Sequence, residues 1–254
     1  MDALGYVAAT AAALAGGAVN ALGGGGTLIT FPALLGLGVP SVAANMTNTV
    51  GLCVGHVGGT WAQRDGLRGQ RHRLPLLLGA GAVGGVAGAL LLKFTSDDRL
   101  RTLIPVLLGV ATVLLALQPR IRTWLGRHAA RPGHPDARWL APAIGLGAVY
   151  GGYFGAGLGV MMLALLGLGV HEPLNRSNVL KQLLAFVINL VAAVLFAFSG
   201  KVWWGLAGLM AAGSLLGGVL GGRVAGRLNP ERFRLVVVAV GAAVTIAYAV
   251  KVWL

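Results

Sequence analysis

Acidic side chains are scarce in this sequence: 7 Asp and Glu stand against 20 Lys and Arg among 254 residues. Charged residues of either sign reach only 11%, against about 25% in a soluble domain. With 56% of the chain hydrophobic, one soluble core could not hide so much apolar surface, which excludes a soluble enzyme and a disordered chain. Cysteine is nearly absent as well. The single Cys53 rules out an internal disulfide, and with it a stapled secreted scaffold. The acidic residues Asp2, Asp65, Asp97, Asp98, Asp136, Glu172 and Glu231 all fall between apolar runs or at their ends. Cation carriers and proton pumps usually hold a carboxylate near the midplane, so this placement argues against a central cation site. A helical His-Glu-x-x-His pattern is missing, and no base, nucleophile or metal cluster of an enzyme is visible. Neither a metal nor a cofactor is expected.

What is present points to a bilayer. Mean hydropathy is +0.79, and at roughly 20 apolar residues per crossing the chain has room for about eight to ten. The 42 glycines lie inside apolar runs, the habit of closely packed membrane helices. The net charge of +13 comes from Lys and Arg in short loops between those runs. The positive-inside rule explains that better than nucleic-acid binding does. Residues after Met1 and Asp2 turn apolar at once without a basic stretch, so the start is expected to be a membrane segment rather than a cleaved signal.

Apolar stretches and breakers predict five segments in each half: about 3–22, 27–39, 41–62, 74–94 and 100–117, then 139–154, 158–170, 176–199, 203–222 and 233–253. Three regions follow: a first membrane repeat over 1–117, a basic cytoplasmic linker over 118–138 and a second repeat over 139–254. The second segment of each half is too short to cross and suits a broken or re-entrant hairpin, which needs burial or a wet cavity around its backbone. The halves resemble each other. Ala33 to Val39 recurs unchanged as Ala164 to Val170, each copy following a glycine cluster (Gly23 to Gly26; Gly151, Gly152, Gly155, Gly157 and Gly159). Each copy also precedes an Asn-x-Thr/Ser-Asn cluster: Asn45, Thr47 and Asn48, then Asn175, Ser177 and Asn178. The basic loop follows the third segment in the first half (Arg64, Arg68, Arg71, Arg73) but the fourth in the second (Arg223, Arg227, Arg232, Arg234). A shift of one crossing is what two inverted-topology repeats produce. The linker arginines Arg120, Arg122, Arg127, Arg131 and Arg138 fall on the same side. Trp61, Trp124, Trp139, Trp203, Trp204 and Trp253 lie at or near segment ends, as interfacial aromatic belts require.

Inside the membrane the chain offers neutral hydrogen-bonding groups and one cation. On a helix, positions 45, 48, 52 and 56 share a face, as do 178, 181, 182, 185 and 189. Asn45, Thr47, Asn48, Asn175, Ser177 and Asn178 would donate hydrogen bonds, and Lys181, set in an otherwise apolar helix, would supply charge. Gly24, Gly25 and Gly26, with Gly155 and Gly157, would bring backbone N–H groups together ahead of short helices, whose N-termini favour anions. His56 is the one midmembrane side chain that titrates near neutrality, and so the coupling candidate if protons are used. Cys53 and His56 are i,i+3 neighbours; Cys53 reads as a small packed residue.

The run Gly151 to Val160, then Asn178 to Lys181 with Asn189, then Val202 to Trp204, resembles the second half of the sulfite exporter TauE/SafE family of membrane permeases. Gly23 to Gly26 with Pro32, Gly38, Pro40 and Asn45 to Thr49 resembles that family's first repeat, and Leu235 to Val238 with Gly241 also fits. The resemblance covers nearly the whole chain and implies transport of small sulfur-containing anions such as sulfite or organosulfonates. The expectation is thus an all-α polytopic membrane protein of the bacterial inner membrane, not an enzyme. It would move a small anion by alternating access, with the lipid bilayer and that anion as its partners, no nucleic acid, and room for a homo-oligomer. A channel-like anion pore and a transition-metal exporter using Cys53, His56 and Met side chains are the alternatives.

Overall fold

A computed structural model describes residues 3–128, 136–170, 172–224 and 230–253. Among these, all regular structure is helical. The first half contributes α1 (Ala3–Leu22), α2 (Thr27–Gly36), α3 (Ser41–Ala62), α4 (Leu74–Lys93) and α5 (Asp97–His128). The second contributes α6 (Leu140–Tyr153), α7 (Leu158–Gly169), α8 (Leu174–Ala197), α9 (Trp204–Val224) and α10 (Pro230–Trp253). Two 3-10 turns, Arg64–Leu67 and Arg71–Arg73, fill the loop between α3 and α4.

Among the described residues, six stretches are long and apolar enough to cross a bilayer: Ala3–Leu22, Arg71–Lys93, Asp97–Leu125, Arg176–Ala197, Trp204–Arg223 and Arg234–Trp253. That is fewer than the eight to ten that composition allows, for two physical reasons. Helix α3 has the length, but Asn45, Asn48 and His56 dilute its hydropathy. Helices α2, α6 and α7 have 10, 14 and 12 residues, about 15 to 21 Å of helix against a hydrocarbon core of about 30 Å. Helix α5 runs eleven residues past the expected end of its segment at 117, to His128. Pro119 lies within it, and a proline removes only a local backbone bond from a helix this long.

The helix starts and stops follow from breakers. Pro40 and Pro173 cap α3 and α8 in the same extended geometry (φ −54°, ψ 146° and φ −56°, ψ 145°). Packing then crosses between the halves. Helix α1 lies along α9, and α4 lies along α6. These pairs are as close as backbones allow: a Cβ on Gly17 would overlap the backbone of Ser214, and one on Gly88 the carbonyl of Val149. Exchanging α1 through α5 for α6 through α10 maps each main contact onto another. α1 on α9 becomes α6 on α4, α3 on α9 becomes α8 on α4, and α5 on α7 becomes α10 on α2.

Helices α3 and α8 pack together antiparallel. The start of α8 meets the loop after α3, where Arg176 donates to the carbonyl of Arg68, and Ser199 after α8 reaches Met46 near the start of α3. Arg68 and Lys201 therefore stand at opposite ends of the bundle. The Arg68 end also gathers Arg73, which pairs with Asp136 at 2.6 Å and Glu172 at 3.2 Å, while Arg176 holds the other oxygen of Glu172 at 2.5 Å. Basic loops thus cluster at one end. All six tryptophans are exposed, as interfacial anchors are.

Candidate functional site: a polar cavity at two helix breaks

The chain is broken twice, between α1 and α2 and between α6 and α7, and the breaks meet. Gly24 has φ +96°, and a Cβ there would stand 2.8 Å from Gly159 Cα. Only glycine accepts both that φ and that approach. Phe31 of α2 packs edge-on against Phe154 at the other break, centroids 5.2 Å apart. Between the breaks and the middles of α3 and α8 lies a small cavity lined by Asn20, Thr27, Asn48, Thr49, Leu52, His56, Phe154, Gly155, Leu158, Gly159, Ala185 and Asn189. It leaves about 20 Å³ open to the centre of a water molecule, the space of one or two ordered waters. Amides, hydroxyls and an imidazole form its polar wall, with no carboxylate among them.

Counted from the two proline caps, α3 and α8 present matched positions to this cavity. Leu52 corresponds to Ala185 and His56 to Asn189, all four on the lining. Asn48 corresponds to Lys181, and Asn45 to Asn178. This register differs from the motif pairing of Asn48 with Asn178, because the cluster begins at Asn45, five residues after Pro40, but at Asn175, two residues after Pro173.

The residues singled out from sequence divide into groups. Asn48, His56 and Gly155 line the cavity. Asn48 is buried, and its Oδ1 has no hydrogen-bond partner; since amide O and N are interchangeable by a flip, this side chain can offer a donor or an acceptor. His56 Nδ1 lies 3.2 Å from Gln182 Oε1. Lys181 is fully buried rather than snorkelling, and its Nζ donates to the carbonyl of Asn20 at 3.1 Å, just behind the wall. Gly26 N donates to Asn20 Oδ1 at 2.8 Å. Asn20 therefore ties the first break to Lys181. Gly24 and Gly25 shape the turn, at φ +96° and +101°. Gly157, with φ +75°, caps α7 against Ala111.

Other candidates engage groups away from the cavity. Asn45 Nδ2 donates to the carbonyl of Tyr153 at 2.8 Å. Thr47 Oγ1 accepts from Trp203 N at 3.1 Å. Asn178 Nδ2 donates to Gln63 Oε1 at 2.8 Å and to the carbonyl of Ala21 at 3.3 Å. Ser177 is buried with its Oγ unpartnered. The side chain of Asn175 lies outside the described residues, as do Arg131 and Arg227. Sequence reasoning missed Asn20 and Thr27. The signal was there for Asn20: it is the one amide in α1, two residues before that helix ends.

The arrangement can hold a small polar solute between two helix breaks, with hydrogen-bond donors in front and a buried cation behind. First-turn N–H groups of α2 and α7, which have no intrahelical acceptors, belong to Thr27 and Gly159 on the same wall. The profile of the sulfite exporter TauE/SafE family matches residues 9–248. A "Probable membrane transporter protein ORF9" from Sinorhizobium sp is 29% identical, covering 96% of this chain and 94% of its own length. A "Probable membrane transporter protein YfcA" from Escherichia coli K12 is 27% identical over 91% of this chain and 84% of its own. A "Probable membrane transporter protein" from Haemophilus influenzae is 26% identical over 81% and 79%. No solved structure matches. With its apolar helices, the chain is a multi-pass bacterial membrane protein, and it belongs to the sulfite exporter TauE/SafE family of membrane transporters.

Proposed function

We propose that the protein is a secondary transporter for a small anion, sulfite or an organosulfonate, working by alternating access of two inverted repeats. One observation carries the choice of an anion: the cavity where the halves meet is walled by amides, hydroxyls and imidazole without a carboxylate, and the fully buried Lys181 stands directly behind it through Asn20. A sulfite or sulfonate presents several acceptor oxygens, which suit ammonium, amide and backbone N–H donors. At low effective dielectric a positive charge acts over several ångströms, so Lys181 need not touch the anion to favour it.

The exchange symmetry of the helix contacts and the antiparallel run of α3 and α8 support the inverted repeat. Burial of nearly the whole cavity wall favours a carrier over an open pore. In the cycle, the glycine breaks flex so that the cavity opens first to one side and then to the other. His56 on the cavity wall is the coupling candidate should a proton accompany the anion.

The test is flux. Proteoliposomes loaded with sulfite, sulfoacetate, sulfate or chloride are compared for the parental protein and Lys181→Ala. Preferential movement of sulfite or sulfoacetate, lost in the variant, is expected. Parental rates for every anion in the variant would overturn the site, and flux indifferent to any imposed gradient would turn the reading toward a pore.

A further inference from the structure

A cluster of two arginines on one tryptophan lies outside the cavity, at the basic end of the bundle. Trp61 ends α3, Arg64 opens the following turn, and Arg223 sits in the last turn of α9. Arg64 Cζ lies 5.3 Å from the centroid of the Trp61 ring, and Arg223 Cζ lies 5.6 Å from the same ring. Close packing of the two helices sets up this convergence: a Cβ on Gly58 of α3 would meet the carbonyl of Leu215, and one on Gly218 of α9 the carbonyl of Gly55. Two guanidinium groups gathered on one indole repel each other. Among the described residues the ion pairs join Arg68 to Asp65, Arg73 to Asp136 and Glu172, and Arg176 to Glu172. Arg64 and Arg223 pair with none of these carboxylates.

We infer that Trp61, Arg64 and Arg223 bind the headgroup phosphate of an anionic phospholipid. Two further observations favour a lipid over a free anion. Trp61 is 51% exposed at a helix end, the depth at which indole rings meet headgroups. Below it, toward the middle of the bundle, exposed apolar side chains continue down both helices, Val57 on α3 and Leu216 and Leu220 on α9. They offer an acyl chain a path under the phosphate. Planar guanidinium groups hold phosphate oxygens bidentately, and basic groups between helices at the cytoplasmic face recruit anionic lipid. Such a lipid bridges the ends of α3 and α9 and relieves the repulsion between their arginines.

The test uses the purified full chain in mixed micelles containing phosphatidylglycerol or phosphatidylcholine, with bound lipid counted by native mass spectrometry and thermal unfolding followed in parallel. Phosphatidylglycerol is expected to be retained and to raise the unfolding midpoint. In Arg64→Gln/Arg223→Gln, retention should fall about tenfold or more, as two basic contacts at a headgroup are lost. Arg68→Gln/Arg71→Gln, which removes as much charge from the same end, should retain the lipid, and Arg64→Lys/Arg223→Lys should fall between. Parental retention in the first double variant, or an equal loss in the second, would overturn the site. Inorganic phosphate that gives the same midpoint rise in phosphatidylcholine micelles would overturn the assignment to a lipid.

Discussion

Helices α3 and α8 begin at equivalent prolines, run antiparallel through the centre and face the same cavity, yet they differ where it matters. At one matched position α3 has Asn48 and α8 has Lys181; eight residues on, α3 has His56 and α8 has Asn189. Asn48 stands on the cavity wall with an unpartnered oxygen, whereas Lys181 is fully buried and donates to the carbonyl of Asn20. A shared backbone frame thus holds two chemical functions, hydrogen bonding at the surface of the site and charge behind it. On the anion reading proposed above, a charge set one layer back raises the potential of the whole cavity without fixing the anion in one pose, as a site that must also release its cargo needs.

The comparison depends first on the two breaks meeting, and destroying that contact should have the largest effect. Gly24→Val adds bulk 2.8 Å from Gly159 Cα at a backbone φ of +96°. It should cost about 3 kcal/mol or more of stability, from overpacking and left-handed strain together. Thermal unfolding in detergent would show it, and an unchanged midpoint would mean that the halves do not touch there. Next is Lys181→Met, which keeps the length of the side chain and removes its charge. Loss of a charge-assisted interaction should lower anion flux about 10- to 100-fold, measured in proteoliposomes, with the unfolding midpoint retained. Asn48→Leu, at the matched position of α3, should lower it only about three- to tenfold, the scale of a neutral hydrogen bond. Equal losses for the two variants would erase the distinction drawn between the helices. The smallest change is expected of His56→Gln, which keeps a hydrogen-bonding end beside Gln182. Exchange flux should drop by less than about threefold, while any acceleration by an imposed proton gradient disappears; an acceleration that survives would remove His56 from coupling.

Most of the fold was legible because breakers and hydrophobic runs are local properties. The segments at 3–22 and 41–62 match α1 and α3, since glycines and Pro40 end and start them wherever the rest of the chain goes. Helix α5 outruns its segment because Arg120, Arg122 and Arg127 read as a linker, whereas the helix carries them onward. Site chemistry was only partly legible, because partners across more than a hundred residues leave no trace in spacing. Thr47 and Asn178 stand in the same motifs as Asn48, yet one accepts from the backbone of Trp203 and the other donates to Ala21 and Gln63. Asn20 was overlooked for the same reason: it stands out as the one amide in α1, but its partner Lys181 lies 161 residues on.

The crossing of partners between the halves bears on how the chain comes off the ribosome. Helix α1 is made before α2 through α8, but the helix it lies against, α9, follows them all. Until then the face of α1 that will meet α9, at Thr10, Leu14, Gly17 and Ala18, has lipid, or a helper protein in the membrane, to rest on. Insertion and final assembly must therefore be separate events in time, and a chain truncated before α9 should be inserted yet open to degradation.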